Sequence, residues 1–286
     1  MLIWAAGLPA ADHLIPLLPA EQLTALRMSI TAAALVPFWI WREGRGVLRD
    51  AQWLRGIAVG SLIGLGAWFL VAGQAIGGAV TAAVISASLP LIGMAIEVMF
   101  DGRKITRALV VGIALSLIGG MMALDWRAGG LSLGFGALLC FASVVSFTIG
   151  SRLTVTAFPH HSPIGRVAVT LTGAAIAASL VSAAQALMTA TPLPNLLSWG
   201  AGDWGAMLIY SVGAMAISQV LWIISIDRLG IGMSSLHINA APFYVMAILF
   251  ALGGAWIWGQ AAAAGLVALG VLIAQGIIPL PQRNRP

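Results

Sequence analysis

Residues 75–99 read AIGGAVTAAVISASLPLIGMAIEVM, and residues 227–252 read DRLGIGMSSLHINAAPFYVMAILFAL. Each segment has a glycine turn near its start, then an apolar run of about the 20 residues a helix needs to cross a bilayer, with a proline inside that run. Gly78 is answered by Gly230 and Pro90 by Pro242, at one constant offset. A helix-interrupting residue kept at the same place in two halves signals duplication, and Gly/Pro-interrupted apolar segments in corresponding positions point to a binding site between the halves.

The surrounding composition sets the environment. Of 286 residues, 60% are hydrophobic and 8% charged, and the mean hydropathy is +1.00. A water-soluble chain of this length needs a polar surface that such a sequence cannot supply. The charges gather in short clusters between apolar runs, which predicts a polytopic helical membrane protein. A net charge of +5 would suit a nucleic-acid binder only if the basic residues shared a face, and they flank the apolar runs instead. Cys140 is the sole cysteine and lies within an apolar run, so neither a disulfide framework nor a thiol metal site is expected. The start, MLIWAAGLPAADH, lacks the basic region of a cleavable leader.

Working outward from the two marked segments, the chain divides into ten apolar spans, at about 1–18, 21–41, 53–75, 79–99, 108–124, 131–150, 164–188, 204–226, 231–253 and 261–280. The first is short and interrupted by Pro9, Asp12, His13 and Pro16; it reads either as a broken, tilted helix or as a segment whose start lies upstream. Ten spans place both termini on one side. The loops on that side and the tail carry Arg42, Arg45, Arg49, Arg55, Arg103, Lys104, Arg107, Arg152, Arg166, Arg228, Arg283 and Arg285, whereas the other side carries Arg127 alone and Arg27 lies inside a span. The positive-inside rule therefore predicts cytoplasmic termini.

Pairing Arg27 with Arg166 aligns LIWAAG of span one with FASVVS of span six, while Pro90 and Pro242 align spans three and four with eight and nine. Five spans per repeat is an odd number, so the copies insert with opposite orientation. The expected fold is an all-α integral membrane protein of ten transmembrane helices in two inverted five-helix repeats, residues 1–128 and 129–286.

With Arg27, the Leu89–Pro90 step and the Gly112 and Gly119 pair in view, the chain resembles the EamA-type drug/metabolite transporter superfamily, and within it YddG-like bacterial amino-acid exporters. The resemblance implies a carrier that exports small metabolites, most of all aromatic or other apolar amino acids, by alternating access around a central cavity. Two departures stand out. Members often have a glutamate about a dozen residues after the proline, where this chain has Asp101 and Gly102, and Gly254 in the second copy; span one is also short.

Buried polar groups are expensive in a membrane, so those that remain nominate the site. In span nine, His237 and Tyr244 fall within about 20° of each other at helical periodicity, with Asn239 on a neighbouring face. Gln219 and Trp222 lie one turn apart in span eight, and Trp68, Gln74, Ser86, Ser88 and Trp4 are the first-half candidates. Aromatic walls with a few amides and hydroxyls suit a zwitterion with an apolar side chain, and the rings can attract its ammonium group. Pro90 and Pro242 are the expected helix breaks and hinges.

Other roles compete for the same residues. Small residues and serines also serve close helix packing; Trp39, Trp41, Trp53, Trp126, Trp199, Trp204, Trp256 and Trp258 read as interfacial anchors; Arg27 reads as structural or snorkelling; and His237 suits either a structural or a functional role. The acids lie toward span ends, so a facilitator or weakly coupled exporter is expected, with His237 as its one protonatable site. No metal, cofactor or nucleic acid is called for; the partners are a small-molecule substrate and the lipid bilayer. Alternatives are export or facilitation of nucleobases or drugs, a channel, and a non-transporting scaffold. No H-E-x-x-H or G-x-S-x-G motif of the kind an enzyme would need lies wholly within a span.

Overall fold

The computed structural model describes residues 1–100, 102, 106–122, 131–189, 192, 194–235, 238 and 241–279. Among these the regular structure is helical throughout. In chain order the helices are α1 (Leu2–Leu14), α2 (Ala20–Glu43), the single turn α3 (Val47–Asp50), α4 (Trp53–Ser86), α5 (Leu89–Phe100), α6 (Arg107–Met122), α7 (Leu131–Thr156), α8 (Pro163–Thr189), α9 (Ala201–Leu208), α10 (Ser218–Ser234), α11 (Ala241–Ala251) and α12 (Trp258–Ala274). A π-helical segment, Ile209–Ile217, joins α9 to α10. Five helical stretches are long and apolar enough to cross a bilayer: Ala20–Glu43, Trp53–Ser86, Gly134–Thr156, Pro163–Thr189 and Ala201–Ile231. This supports a multi-pass membrane protein.

The two marked glycines carry out the same manoeuvre. Helix α4 is interrupted at Gly78 (φ 76°, ψ 169°) and α10 at Gly230 (φ 77°, ψ 166°). This region of backbone space is open almost only to glycine. A straight helix of 34 residues would run about 51 Å, well beyond the hydrocarbon thickness. The break at Gly78 cuts that length, which is the division that the sequence placed at the AIGG turn.

The prolines sit differently from expectation. Pro90 and Pro242 do not kink the middle of a helix; each is the second residue of a new one, α5 and α11. A missing N–H costs nothing there, because the first-turn donors have no intrahelical acceptor in any case. The interruption in the first copy lies just before Pro90, at Ala87 and Ser88. Span four is thus two half-helices. Helix α1, by contrast, runs through Pro9 to Leu14 without the break predicted there.

Small residues let the helices approach closely. A Cβ placed on Gly112 would meet Gly270 and Ala274, and one on Gly119 would meet Ala263 and Val267, so this pair seats α6 on α12. Gly60 and Gly173 likewise bring α4 against α8. Trp39 corrects one expectation: it is 2% exposed, its Nε1 donates to Glu43 at 3.0 Å, and it packs in the interior rather than at an interface.

Candidate functional site

The interruption of span four borders a cavity of about 50 Å³ enclosed by residues of both halves of the chain. Its wall is contributed by Met1, Trp4 of α1, Arg27 of α2, Ile63, Gly66, Ala67, Leu70 and Ser86 of α4, and Leu89 of α5. The other side consists of Ser143, Val144 and Phe147 of α7, Met215 of the π segment, Ser218, Gln219 and Trp222 of α10, and Ile238. Ser86 and Leu89 flank the interruption of span four, and Ile238 lies between α10 and α11 in the matching region of the second half. Broken helices are how transporters bring backbone polar groups to mid-membrane sites.

The aromatic wall is held in place by hydrogen bonds and packing. Trp222 is 4% exposed; its Nε1 donates to Ser151 Oγ at 3.1 Å, and its ring lies 6.3 Å from that of Phe147. With the indole N–H satisfied, the rest of the ring is an apolar surface, the usual arrangement for a buried tryptophan.

On the other side sits a buried cation. Arg27 is 3% exposed, its guanidinium carbon lies 3.8 Å from the centroid of the Tyr210 ring, Nη1 donates to Tyr210 Oη at 3.0 Å, and Nη2 donates to the Met215 sulfur at 3.5 Å. Both partners belong to the π segment, whose wider turn shifts the helical hydrogen-bond pattern. Thr31 stitches this segment to α2 by donating to Ser211 O at 3.0 Å and to Arg27 O at 2.8 Å. The π segment thereby fixes the position of Arg27.

Asp12 holds the first break. Its Oδ2 accepts from the Ala79 backbone N–H at 3.2 Å, directly after Gly78, and its Oδ1 accepts from Gln74 Nε2 at 2.8 Å. Gln74 Nε2 also donates to Leu8 O at 2.6 Å. A carboxylate on the first N–H of a restarted helix is a cap, favoured by the local helix dipole. The two ends of the bundle are also tied. His13 Nε2 meets Asp203 Oδ1 at 2.8 Å where α1 finishes, and at the opposite end Ser162 Oγ donates to Glu43 Oε1 at 2.5 Å while Arg166 Nη1 donates to Asp227 Oδ1 at 2.8 Å. Among the described residues no three His, Cys, Asp or Glu side chains are grouped to hold a metal ion.

This architecture can be set beside known proteins. Residues 1–124 match the EamA-like transporter family. The chain is also 27% identical over 271 residues to YyaM, an uncharacterised transporter of Bacillus subtilis (strain 168), covering 91% of this chain and 86% of that protein. A solved crystal structure has a TM-score of 0.68 to it at 23% identity, covering 96% of this chain and 94% of the other. That last likeness concerns the fold alone.

Relative to the EamA-like segment, the cavity is shared: Met1 to Leu89 come from within it and Ser143 to Ile238 from beyond it. Of the residues nominated from sequence, Trp4, Ser86, Gln219 and Trp222 line the cavity together. Four others do not, Gln74 being taken up by Leu8 and Asp12. Trp68 faces a separate recess of about 510 Å³ between α2, α4 and α8, since it lies off the α4 face that carries Ile63, Ala67 and Leu70. Ser88 turns back on its own chain, donating to Ile85 O at 2.7 Å. Tyr244 is 38% exposed on α11, a helix that begins at Ala241. His237 and Asn239 lie outside the described residues, as does Trp126.

Tyr210, Met215, Ser143, Phe147 and Ser218 are not marked as site residues by the sequence, in which Arg27 reads as structural or snorkelling. Tyr210 carried one usable signal, since one of only two tyrosines in the chain sits within an apolar span, where a buried hydroxyl needs a partner. Asp12 was read only as an interruption of span one, whereas it binds the break in span four.

Proposed function

We propose that this protein is a multi-pass membrane carrier that exports small metabolites, foremost aromatic or other apolar amino acids, across the cytoplasmic membrane of a bacterium. Its EamA-like segment and its likeness to a protein described as a transporter support the general role. Residues 1–128 and 129–286 act as two inverted five-span repeats that rock against each other around the central cavity, with both termini in the cytoplasm. The matched backbone angles at Gly78 and Gly230 support this repeat.

The observation that carries the proposal is the cavity itself. It borders the interruption before Pro90, takes in Ile238 from the second half, and combines the Trp4, Phe147 and Trp222 rings with Gln219 and three serines. Such walls suit an apolar side chain and leave a few polar groups to orient the rest of the ligand, and the cavity, smaller at about 50 Å³ than such a ligand, widens to admit it as the repeats rock apart. His237 and Asn239 complete the substrate site from the second break in this reading, while Tyr244, Trp68 and Ser88 act around it; Pro90 and Pro242 keep the half-helices separate. Transport is facilitated or weakly coupled, with His237 the protonatable group.

The test is uptake into liposomes containing the purified protein, across a panel of amino acids, nucleobases and drugs, with and without a pH gradient. Saturable uptake of apolar amino acids supports the proposal, and preference for nucleobases or drugs replaces its substrate. Strong dependence on the gradient that survives His237→Ala rejects the coupling assignment.

A further inference from the structure

Among the described residues the cavity wall carries one charged side chain, Arg27, and its environment differs from that of its repeat-related counterpart. Arg166, aligned with Arg27, is fully engaged: Nε donates to Phe158 O at 2.9 Å, Nη2 to Pro159 O at 3.4 Å, and Nη1 to the Asp227 carboxylate at 2.8 Å. Arg27 is as deeply buried, but its neighbours are a phenol and a thioether, and its Nε has no acceptor. Among the described residues no carboxylate pairs with it. A buried guanidinium without an anionic partner is costly, and such groups in a membrane interior mark substrate pathways.

A second polar atom on the same wall is also without a partner. Gln219 is 4% exposed and its Nε2 makes no hydrogen bond. It lies one turn beyond Met215, whose sulfur accepts from Arg27, and both residues line the cavity. Each of these two wall residues thus holds one N–H donor without an acceptor, buried behind the wall rather than exposed in the cavity. What they lack is an oxygen acceptor, and for Arg27 a negative one, which a carboxylate supplies in the geometry that guanidinium matches best.

We propose that Arg27, assisted by Gln219, is the carboxylate-recognition point of the cavity, so that the site selects its ligand by the carboxylate and treats the ammonium group as dispensable. This rests on the reading of the cavity as an amino-acid site. No acidic side chain lines the described wall to pair with an ammonium, leaving that end of the ligand to the weaker attraction of the Trp4 and Trp222 rings. The ligand class therefore extends to deaminated acids with the same apolar side chain and excludes the corresponding amines.

Three ligands separate these contributions: phenylalanine, 3-phenylpropionate and phenethylamine, with binding to the full-length detergent-solubilised protein followed by thermal shift and by competition. Phenylalanine and 3-phenylpropionate are expected to bind comparably, with phenethylamine weaker by about tenfold or more. Arg27→Gln is expected to abolish that preference, and Arg27→Lys, which keeps the charge without the fork, to retain part of it. Phenethylamine binding as tightly as phenylalanine, or an unchanged preference in folded Arg27→Gln, overturns this inference and leaves the transport reading standing. Binding of none of the three by the wild type rejects the amino-acid reading and this inference together. If Arg27→Gln does not fold, the wild-type ligand series and Arg27→Lys decide the question.

Discussion

Trp222 shows why some residues of the site could be read from sequence and others could not. A tryptophan one turn from a glutamine inside an apolar span is conspicuous, and both residues line the cavity. Trp222→Phe keeps an aromatic surface but gives up the bond to Ser151, so a modest loss of transport is expected; Trp222→Ala should lower initial uptake by about tenfold or more through loss of apolar contact area, with the protein still inserted. Asp12 makes a different prediction. Asp12→Ala strips acceptors from the Ala79 N–H and from Gln74, at a cost of about 1–3 kcal/mol per unsatisfied buried group, visible as a lower melting temperature in detergent. Outside the spans, His161 packs near Trp39 and Phe158. Burial and then the Arg166 charge hold its pKa below the ordinary 6.5, with His160 acting in the same sense and Glu43 and Asp50 opposing. The unfolded chain therefore takes up this proton before the folded one does, and stability should fall slightly as the pH drops below 6.5. His161→Asn should remove that component of a melting-temperature profile against pH.

At the scale of elements, the paired glycines were legible because a turn in a membrane chain needs backbone freedom, and the structure gives the two nearly the same dihedral angles. Gly78→Ala and Gly230→Ala should each cost about 1–3 kcal/mol, and similar losses in the two variants, measured by thermal melting, are expected of related elements. The prolines were legible as residues but not as geometry. Spacing alone cannot distinguish a proline that kinks a helix from one that starts a new helix. Because Pro90 begins α5, Pro90→Ala should leave the melting temperature unchanged or raised. Turnover should fall, since the break at Ala87 and Ser88 could then close into one continuous helix. The π segment left no trace in the hydrophobic pattern, because an inserted residue shifts which side chains face inward without altering composition. That shift explains why Tyr210 and Met215, and through them the role of Arg27, emerged only from the structure.

For the whole molecule, composition was sufficient to read the membrane environment, and the repeated breaks located the cavity. The arrangement predicts that the loop after α2 faces the cytoplasm and the start of α9 faces outward. Cys140 is 0% exposed, so the native chain provides a quiet background for labelling. Arg45→Cys should react with an impermeant thiol reagent only from the cytoplasmic side, and Gly202→Cys only from outside; the reverse pattern would invert the topology. In the proposed mechanism one cavity, alternately open to each side, carries the substrate. Counterflow of labelled phenylalanine into liposomes preloaded with unlabelled phenylalanine tests it most directly. The predicted result is saturable, trans-stimulated accumulation that is largely lost in Trp222→Ala; non-saturating flux without trans-stimulation, or full activity in that variant, would contradict it.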